Sequence, residues 1–402
     1  MSSTPSLTAS SLLRPSAFWH HVASFIGLGV SFATLMARQP ALQAEFALSA
    51  SDWGWCLLAA GAGGVAAYPV TRWMLQQHGS RRLVASNGLL LGLGLALLPW
   101  WPDGLLALLP ALFFQGLLMN GLNVAVNSQA VHYENRSCHV CMGRLHALFY
   151  LGVTGAAVVS SVAVAAGLSV HQHFAVIGLG VSAGYLWLSR RFAIDRVTAP
   201  APRGDGSMHR PSGAVLALGT LGALAAIVTS GIDGWTPLVL HSVMQASAST
   251  ASLGLATFSI AMFVGRMLTD RLALRFGPRP LVRGGALLGA LMLLAVTLMP
   301  SVPLAFVALM LAGLGQAAVF PILYTAAGRL GSDTLAGMAS ISAAGGLIGP
   351  VLLGRIAAIS SPAAVYVGLA GVMLLLGWQA RVLPARTVLQ PARPVGAESI
   401  GA

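Results

Sequence analysis

Apolar residues come in twelve long runs. Six lie at 18–38, 52–71, 83–100, 105–131, 142–166 and 170–189, and six more follow a polar break, at 213–240, 249–270, 281–300, 303–327, 335–358 and 362–381. Each is near the length a helix needs to cross about 30 Å of hydrocarbon. Hydrocarbon offers no water to backbone amides, so a run that crosses it folds as a helix. The pattern predicts an all-α membrane protein with twelve transmembrane helices in two six-helix bundles, 18–189 and 212–381. The break, 190–211, carries Arg190, Arg191, Arg196, Arg203 and Arg210 with Pro200, Pro202 and Pro211, and reads as a cytoplasmic linker. Residues 1–17 and 382–402 read as disordered tails.

One run departs from the apolar rule in an ordered way. On a helix each residue advances about 100°, so Gly116, Asn120, Asn123, Asn127 and Glu134 fall within roughly 60° of one another, with Gln129 on the opposite side. Amides without partners in hydrocarbon cost several kcal/mol, so this stripe must face other helices or a wet cavity. Two readings follow: hydrogen bonds between helices, or a polar pathway lined by Asn120, Asn123 and Asn127. In the next run His146 and Tyr150 stand one turn apart and are candidate pathway residues.

Composition agrees with a bilayer. The 402 residues are 56% apolar and only 8% charged, against about 25% charged in soluble domains. Mean hydropathy is +0.79. The formal charge of +12 comes from Arg alone, since there is no Lys. It is not spread evenly. Alternate loops hold Arg72, Arg81 and Arg82, then Arg136 and Arg144, then the linker, then Arg271, Arg275, Arg279 and Arg283, then Arg329. The other loops hold little beyond Arg38, Glu45, Asp52, Asp103, His171, His173 and His241. Short Arg-rich loops stay inside, so both termini are expected in the cytoplasm. The charge thus has no nucleic-acid meaning.

Further candidates lie in the second half. Asp233 sits in a long apolar run interrupted by Gly231, Gly234 and Pro237, which predicts a discontinuous helix. There it either binds a cation, a proton or a solute hydroxyl, or is a turn residue at the outer interface. Gln316, Phe320 and Tyr324 recur every four residues, suited to a ring-stacking wall or to core packing. Trp235 is either a wall residue or an interfacial anchor. Cys138 and Cys141 have the spacing of a metal or redox pair, but no second pair exists to complete a site. Neither a phosphate-cradling loop nor a nucleophile triad occurs, so no enzyme, cofactor or metal is expected.

The two halves echo one another. Thr71-Arg-Trp-Met-Leu-Gln-Gln-His-Gly-Ser-Arg-Arg82 corresponds in place to Gly265-Arg-Met-Leu-Thr-Asp-Arg-Leu-Ala-Leu-Arg-Phe-Gly-Pro-Arg279. On these loops the chain resembles the major facilitator superfamily, over essentially residues 15–382. The resemblance implies that Asp270 and Arg271, with Arg266, form a cytoplasmic gating latch, whereas Gln76 and Gln77 stand in the first copy where an acid and a base are expected. Asn123-Val-Ala-Val-Asn127, Glu134, His146 to Gly152 and Gly231-Ile-Asp-Gly-Trp235 resemble a fucose-permease-like, sugar-porter-like bacterial subgroup. In that subgroup an acid often stands at the position of Asn123 and carries the proton. Asn cannot titrate, which leaves Asp233 as coupling candidate and Glu134 as a gate partner for Arg.

The resemblance implies a monomeric secondary transporter of the bacterial inner membrane, moving a small polar organic solute with H⁺ by alternating access. Efflux of amphipathic compounds, or a receptor on a transporter scaffold, are the alternatives.

Overall fold

A computed structural model describes residues 15–102, 104–137, 141–194, 212–330 and 332–385. Residues 1–14 and 386–402, most of the linker, Asp103 and Cys138 lie outside the described residues, whereas Pro15 to Ala17, expected in a disordered tail, begin the first helix. Within them the chain is entirely helical: α1 (Pro15–Ala37), α2 (Gln39–Glu45), α3 (Ala50–His78), α4 (Ser80–Leu97), α5 (Leu105–Ser137), α6 (Met142–Ala165) and α7 (Val170–Ser189) form the first half. In the second half α8 (Gly213–Ser242), α9 (Ala248–Phe276), α10 (Pro278–Leu298), α11 (Val302–Ala317), α12 (Val319–Arg329), α13 (Ser332–Ile359) and α14 (Ala364–Gln379) follow. The tenth apolar run is split at Ala318 into α11 and α12; counting that pair once and setting aside the short α2, the long helices number twelve. Ten are apolar enough along a continuous stretch to cross a membrane on that ground alone. The remaining two, α3 and α7, carry more Trp, Gln, His, Ser and Thr and sit among the others.

Helix ends follow local chemistry. Ser49 starts α3 with a capping box, its hydroxyl accepting from the Asp52 amide while Asp52 accepts from the Ser49 amide at 2.9 Å. Ser169 and Gln172 do the same for α7, and Ser212, Ser247 and Ser301 cap α8, α9 and α11. Such caps satisfy amides that have no partner within the helix. The expected loops after residues 71 and 270 are instead helical. Each ends only at a single glycine with positive φ, Gly79 (75°) and Gly277 (86°), where any side chain would be strained. Residues such as Leu272, Ala273 and Leu274 favour helix, so nothing stops α9 before that glycine.

The halves repeat in packing as well. In the first, α1 pairs with α6, α3 with α5 and α4 with α7; in the second, α8 pairs with α13, α9 with α11 and α10 with α14. These are the same pairings six spans apart. Glycine allows the closest of them. A Cβ on Gly63 would run into the Phe113 carbonyl, and one on Gly116 into that of Ala60, so α3 and α5 touch backbone to backbone. Across the halves α3 meets α13 and α6 meets α9, again a symmetric pair.

Hydrogen bonds between the halves occur, among the described residues, only near the Arg-poor face. The Ser252 hydroxyl donates to the Ala37 carbonyl at 2.8 Å, and the Trp53 indole donates to the Gly234 carbonyl at 3.1 Å. Arg38, an exception to the charge pattern on this face, donates to the Leu168 carbonyl at 3.1 Å. Burial holds its pKa below the usual guanidinium value. Toward the Arg-rich face, Tyr68 and Tyr324 are 53% and 48% exposed. The molecule is thus drawn together at one face.

Candidate functional site

A cavity of about 550 Å³ lies between the halves. Its walls come from eight long helices. Phe32, Leu35 and Met36 line it from α1, Leu57, Gly64 and Tyr68 from α3, Leu91 from α4, and Gln115, Met119, Asn120 and Asn123 from α5. His146, Phe149 and Tyr150 come from α6, Ser230 and Gly234 from α8, Arg266 from α9, and Gly346, Leu347 and Pro350 from α13. A second cavity, of about 540 Å³, sits within the second half alone, bordered by Thr269, Asp270, Arg329 and Pro384. Only the first is shared by both halves, and a bilobed carrier binds its solute where the repeats meet.

The amide stripe divides its labour. Asn120 Nδ2 donates to the Gly64 carbonyl, tying α5 to α3. Asn127 Nδ2 donates to the Asn123 carbonyl at 2.8 Å and to Asn123 Oδ1 at 2.9 Å. This fixes the Asn123 side chain, which lines the cavity; Asn127 does not line it. Gln129, on the opposite side, is buried and donates to Ser80 Oγ at 2.7 Å and the Ala193 carbonyl at 3.0 Å. It is a structural tie.

Glu134 does not pair with Arg among the described residues. Its Oε1 accepts from the amides of Cys141 and Met142, the first turn of α6, where a negative charge also complements the helix dipole. Desolvation, followed by the Glu134 carboxylate beside it, pushes the Cys141 thiol up to about 11. The thiolate is the reactive form. At pH 7, Cys141 is therefore expected to react with N-ethylmaleimide roughly a hundredfold more slowly than a free thiol of pKa about 8.5. A rate equal to that of glutathione, followed by mass spectrometry, would show the loop to be open.

Asp233 lies inside α8, about 14 Å from its Arg-poor end at ~1.5 Å per residue. It is 6% exposed and its Oδ1 has no partner. The predicted break in this helix does not occur, since α8 runs unbroken through Pro237. Proline has no amide to bond the carbonyl four residues back, that of Asp233, and disturbs its neighbour's bonding too. Here the Gly234 carbonyl is satisfied from the other half by Trp53. Gln39, oriented so that its amide donates to the same carbonyl at 2.9 Å, accepts from the Trp53 indole at 2.7 Å. The carbonyl next to that of Asp233 is thereby tied to the first half.

Arg266 stands inside α9 and projects into the cavity. Its guanidinium carbon is 4.6 Å from the centroid of the Tyr150 ring, a cation–π contact between halves. Asp233 and His146 are within electrostatic reach of it. The His146 and Phe25 rings pack edge to face, their centroids 5.2 Å apart.

Other predicted residues sit elsewhere. Gln316 is buried, its Nε2 donating to the Ala225 carbonyl at 2.8 Å and Thr229 Oγ1 at 3.3 Å, so it ties α11 to α8 behind the cavity wall. Trp235 is fully buried in the second-half core. Tyr324 lies outside the lining, within electrostatic reach of Tyr68 and Arg266. Asp270 and Arg271 are both exposed, and neither forms an ion pair among the described residues. Sequence reasoning assigned Arg266 to the loop latch; an Arg within an apolar run was the signal that it belonged inside. Trp53 and Gln39 carried no such signal.

A cavity enclosed by two repeated helical halves and drawn shut at one face is the architecture of a solute carrier. A sequence model of the Major Facilitator Superfamily matches residues 21–340 and 218–401. The chain belongs to that family, a multi-pass membrane protein among transporters of small molecules. It is 29% identical over 371 residues to an uncharacterized transporter of this superfamily from Yersinia pestis, covering 90% of this chain and 94% of the relative. It is also 28% identical over 323 residues to an uncharacterized transporter of Sinorhizobium fredii, covering 79% and 83%, and 24% identical over 337 residues to the membrane protein MosC of Rhizobium meliloti, covering 82% and 81%. Among solved structures, the nucleoside transporter NupG superposes with a TM-score of 0.71 at 12% identity, covering 92% of this chain and 98% of that one. A bacterial homolog of the human lysosomal transporter Spinster, inward-facing and occupied, gives 0.64 at 16% identity, covering 92% and 95%. These likenesses concern the fold.

Proposed function

We propose that the protein is a secondary transporter of the bacterial inner membrane that moves a small polar organic solute by alternating access, coupled to H⁺. The observation that carries this reading is the central cavity. At about 550 Å³ it falls in the ~300–1,000 Å³ range of small-molecule sites. Asn120, Asn123, His146, Tyr150, Ser230 and Arg266 give it polar walls from both halves. The Arg-rich face is the cytoplasmic one by the positive-inside rule, so the arrangement corresponds to a state closed to the outside. Asp233 is the proton site, a buried acid near the cavity; acids at such depth are expensive and are kept for function. The likeness to a nucleoside transporter makes nucleosides, with sugars, the first solutes to try.

A second reading has its own support. Phe32, Phe149, Met36 and Met119 give the cavity an apolar side, as a carrier of amphipathic compounds would have. Counterflow into proteoliposomes of purified protein separates the two, with labelled sugars and nucleosides in one set and lipophilic cations in the other. Polar solutes are expected to exchange; exchange confined to lipophilic cations would overturn the proposal.

Two variants test the stripe in the same assay. Asn123→Leu is expected to abolish uptake with the protein inserted and folded. Gln129→Leu removes the donor to the Ala193 carbonyl, at about 1–3 kcal/mol, and is expected to lower the unfolding temperature while surviving molecules keep transporting. Equal loss of transport per folded molecule in both would make the stripe packing alone.

A further inference from the structure

Of the described residues that line the central cavity, Arg266 is the only Arg. It lies ten residues inside the end of α9 at Phe276, some 15 Å at ~1.5 Å per residue. A cation at that depth is costly unless it is paired. Tyr150 offers its ring face at 4.6 Å but no acceptor to the fork. The Arg266 Nε is buried without a hydrogen-bond partner. No carboxylate among the described residues lies within 4.0 Å of the guanidinium. Asp233 is the acid within electrostatic reach, and its own Oδ1 is equally unpartnered. The fork is therefore unspent, preset by the stacked ring, and placed on the cavity wall.

We infer that the transported solute is an organic monocarboxylate whose carboxylate seats on Arg266. This rests on the transporter reading above and names its substrate class. A guanidinium matches a carboxylate with two parallel hydrogen bonds, each stronger than a neutral one. The remaining walls divide in a way that suits the rest of such a molecule. Phe32, Phe149 and Leu347 cover an apolar or ring-shaped body, while Asn123 and Ser230 offer hydrogen bonds to its hydroxyls. A phosphate dianion fits less well, since no second Arg among the described residues reaches the cavity to share its charge. Asp233 competes with the carboxylate for the same cation, so the site favours one anion at a time.

The test uses the full chain in lipid nanodiscs and thermal unfolding with matched pairs: benzoate and benzamide, nicotinate and nicotinamide, lactate and lactamide, gluconate and sorbitol. Glucose and uridine serve as neutral solutes. At least one carboxylate is expected to raise the unfolding temperature, with its neutral counterpart binding at least about tenfold more weakly. Arg266→Gln should abolish that shift, and Arg266→Lys, which keeps the charge but loses the fork, should retain part of it. Should Arg266→Gln fail to fold, the acid-against-neutral ratio and Arg266→Lys decide alone. Equal stabilisation by acid and neutral counterpart overturns the inference, as does a carboxylate shift that survives Arg266→Gln. Shifts from glucose or uridine with none from any carboxylate sink the inference and leave the transporter reading standing. Silence from every solute counts against both.

Discussion

Asp233→Asn is expected to end accumulation of solute against a gradient while leaving exchange between equal pools intact. Concentrative uptake should fall at least about tenfold, which corresponds to ~1.4 kcal/mol of lost driving force at the coupling step. Aspartate and asparagine have nearly the same shape, so the substitution removes a titratable group with little change in packing. Asp233 is 6% exposed, inside α8, with one oxygen unpartnered. As a permanent neutral, the asparagine imitates the protonated acid. A carrier in that state can still rock between faces with solute bound, because rocking needs the site neutral rather than empty. What it cannot do is release a proton on one side and take one up on the other. Uptake driven by an imposed pH gradient and solute counterflow, measured on the same proteoliposomes, separate these steps. Loss of both would make Asp233 a binding or structural residue. Loss of neither would make the protein a facilitator, or place its coupling site elsewhere.

Much of the fold was legible in the amino-acid sequence because the bilayer admits so few solutions. Twelve apolar runs become helices wherever hydrocarbon leaves the backbone no other partner. The repeat was legible in the paired segments ending at Gly79 and Gly277, where single glycines with positive φ divide neighbouring helices. Helix ends were less so. The segment around Arg266 and Asp270 read as a loop because it is charged, yet charge alone does not end a helix whose other residues favour one.

The cavity was legible in part. Period and polarity pointed to Asn120, Asn123, His146 and Tyr150, and these line it. The same logic pointed to Gln316, which ties two helices of one half. A polar residue on an apolar helix must find a partner, but sequence does not say whether that partner is solute or neighbouring backbone. Trp53 and Gln39 were invisible for another reason. Their bonds to Gly234 join positions about two hundred residues apart, so no local pattern records them.

That closed state can be attacked at a backbone contact between the two halves. Gly54 on α3 and Gly354 on α13 approach so closely that a Cβ on Gly54 would stand 3.1 Å from the Gly354 Cα. Beside them Trp53 bonds Gly234, and Leu57 fills the space that a side chain on Gly234 would need. Gly54→Val puts two methyl groups into this contact, and neither backbone can yield without parting α3 from α13. Overpacking of this kind costs about 1–3 kcal/mol. The cost falls on the closed face alone, so an equilibrium between two faces shifts toward the other state by roughly 5- to 150-fold. With the three native cysteines replaced by alanine, Ser31→Cys places a thiol on the cavity wall. Adding Gly54→Val is expected to raise its labelling by an impermeant maleimide from outside intact cells at least about fivefold. Solute transport should be nearly abolished in the same cells, with membrane levels of the protein unchanged. Gly54→Ala should give a smaller change in the same direction, because one methyl group needs less room. Unchanged labelling with transport preserved would mean that the two glycines only fill space, and that the outer gate lies in other contacts of the same face.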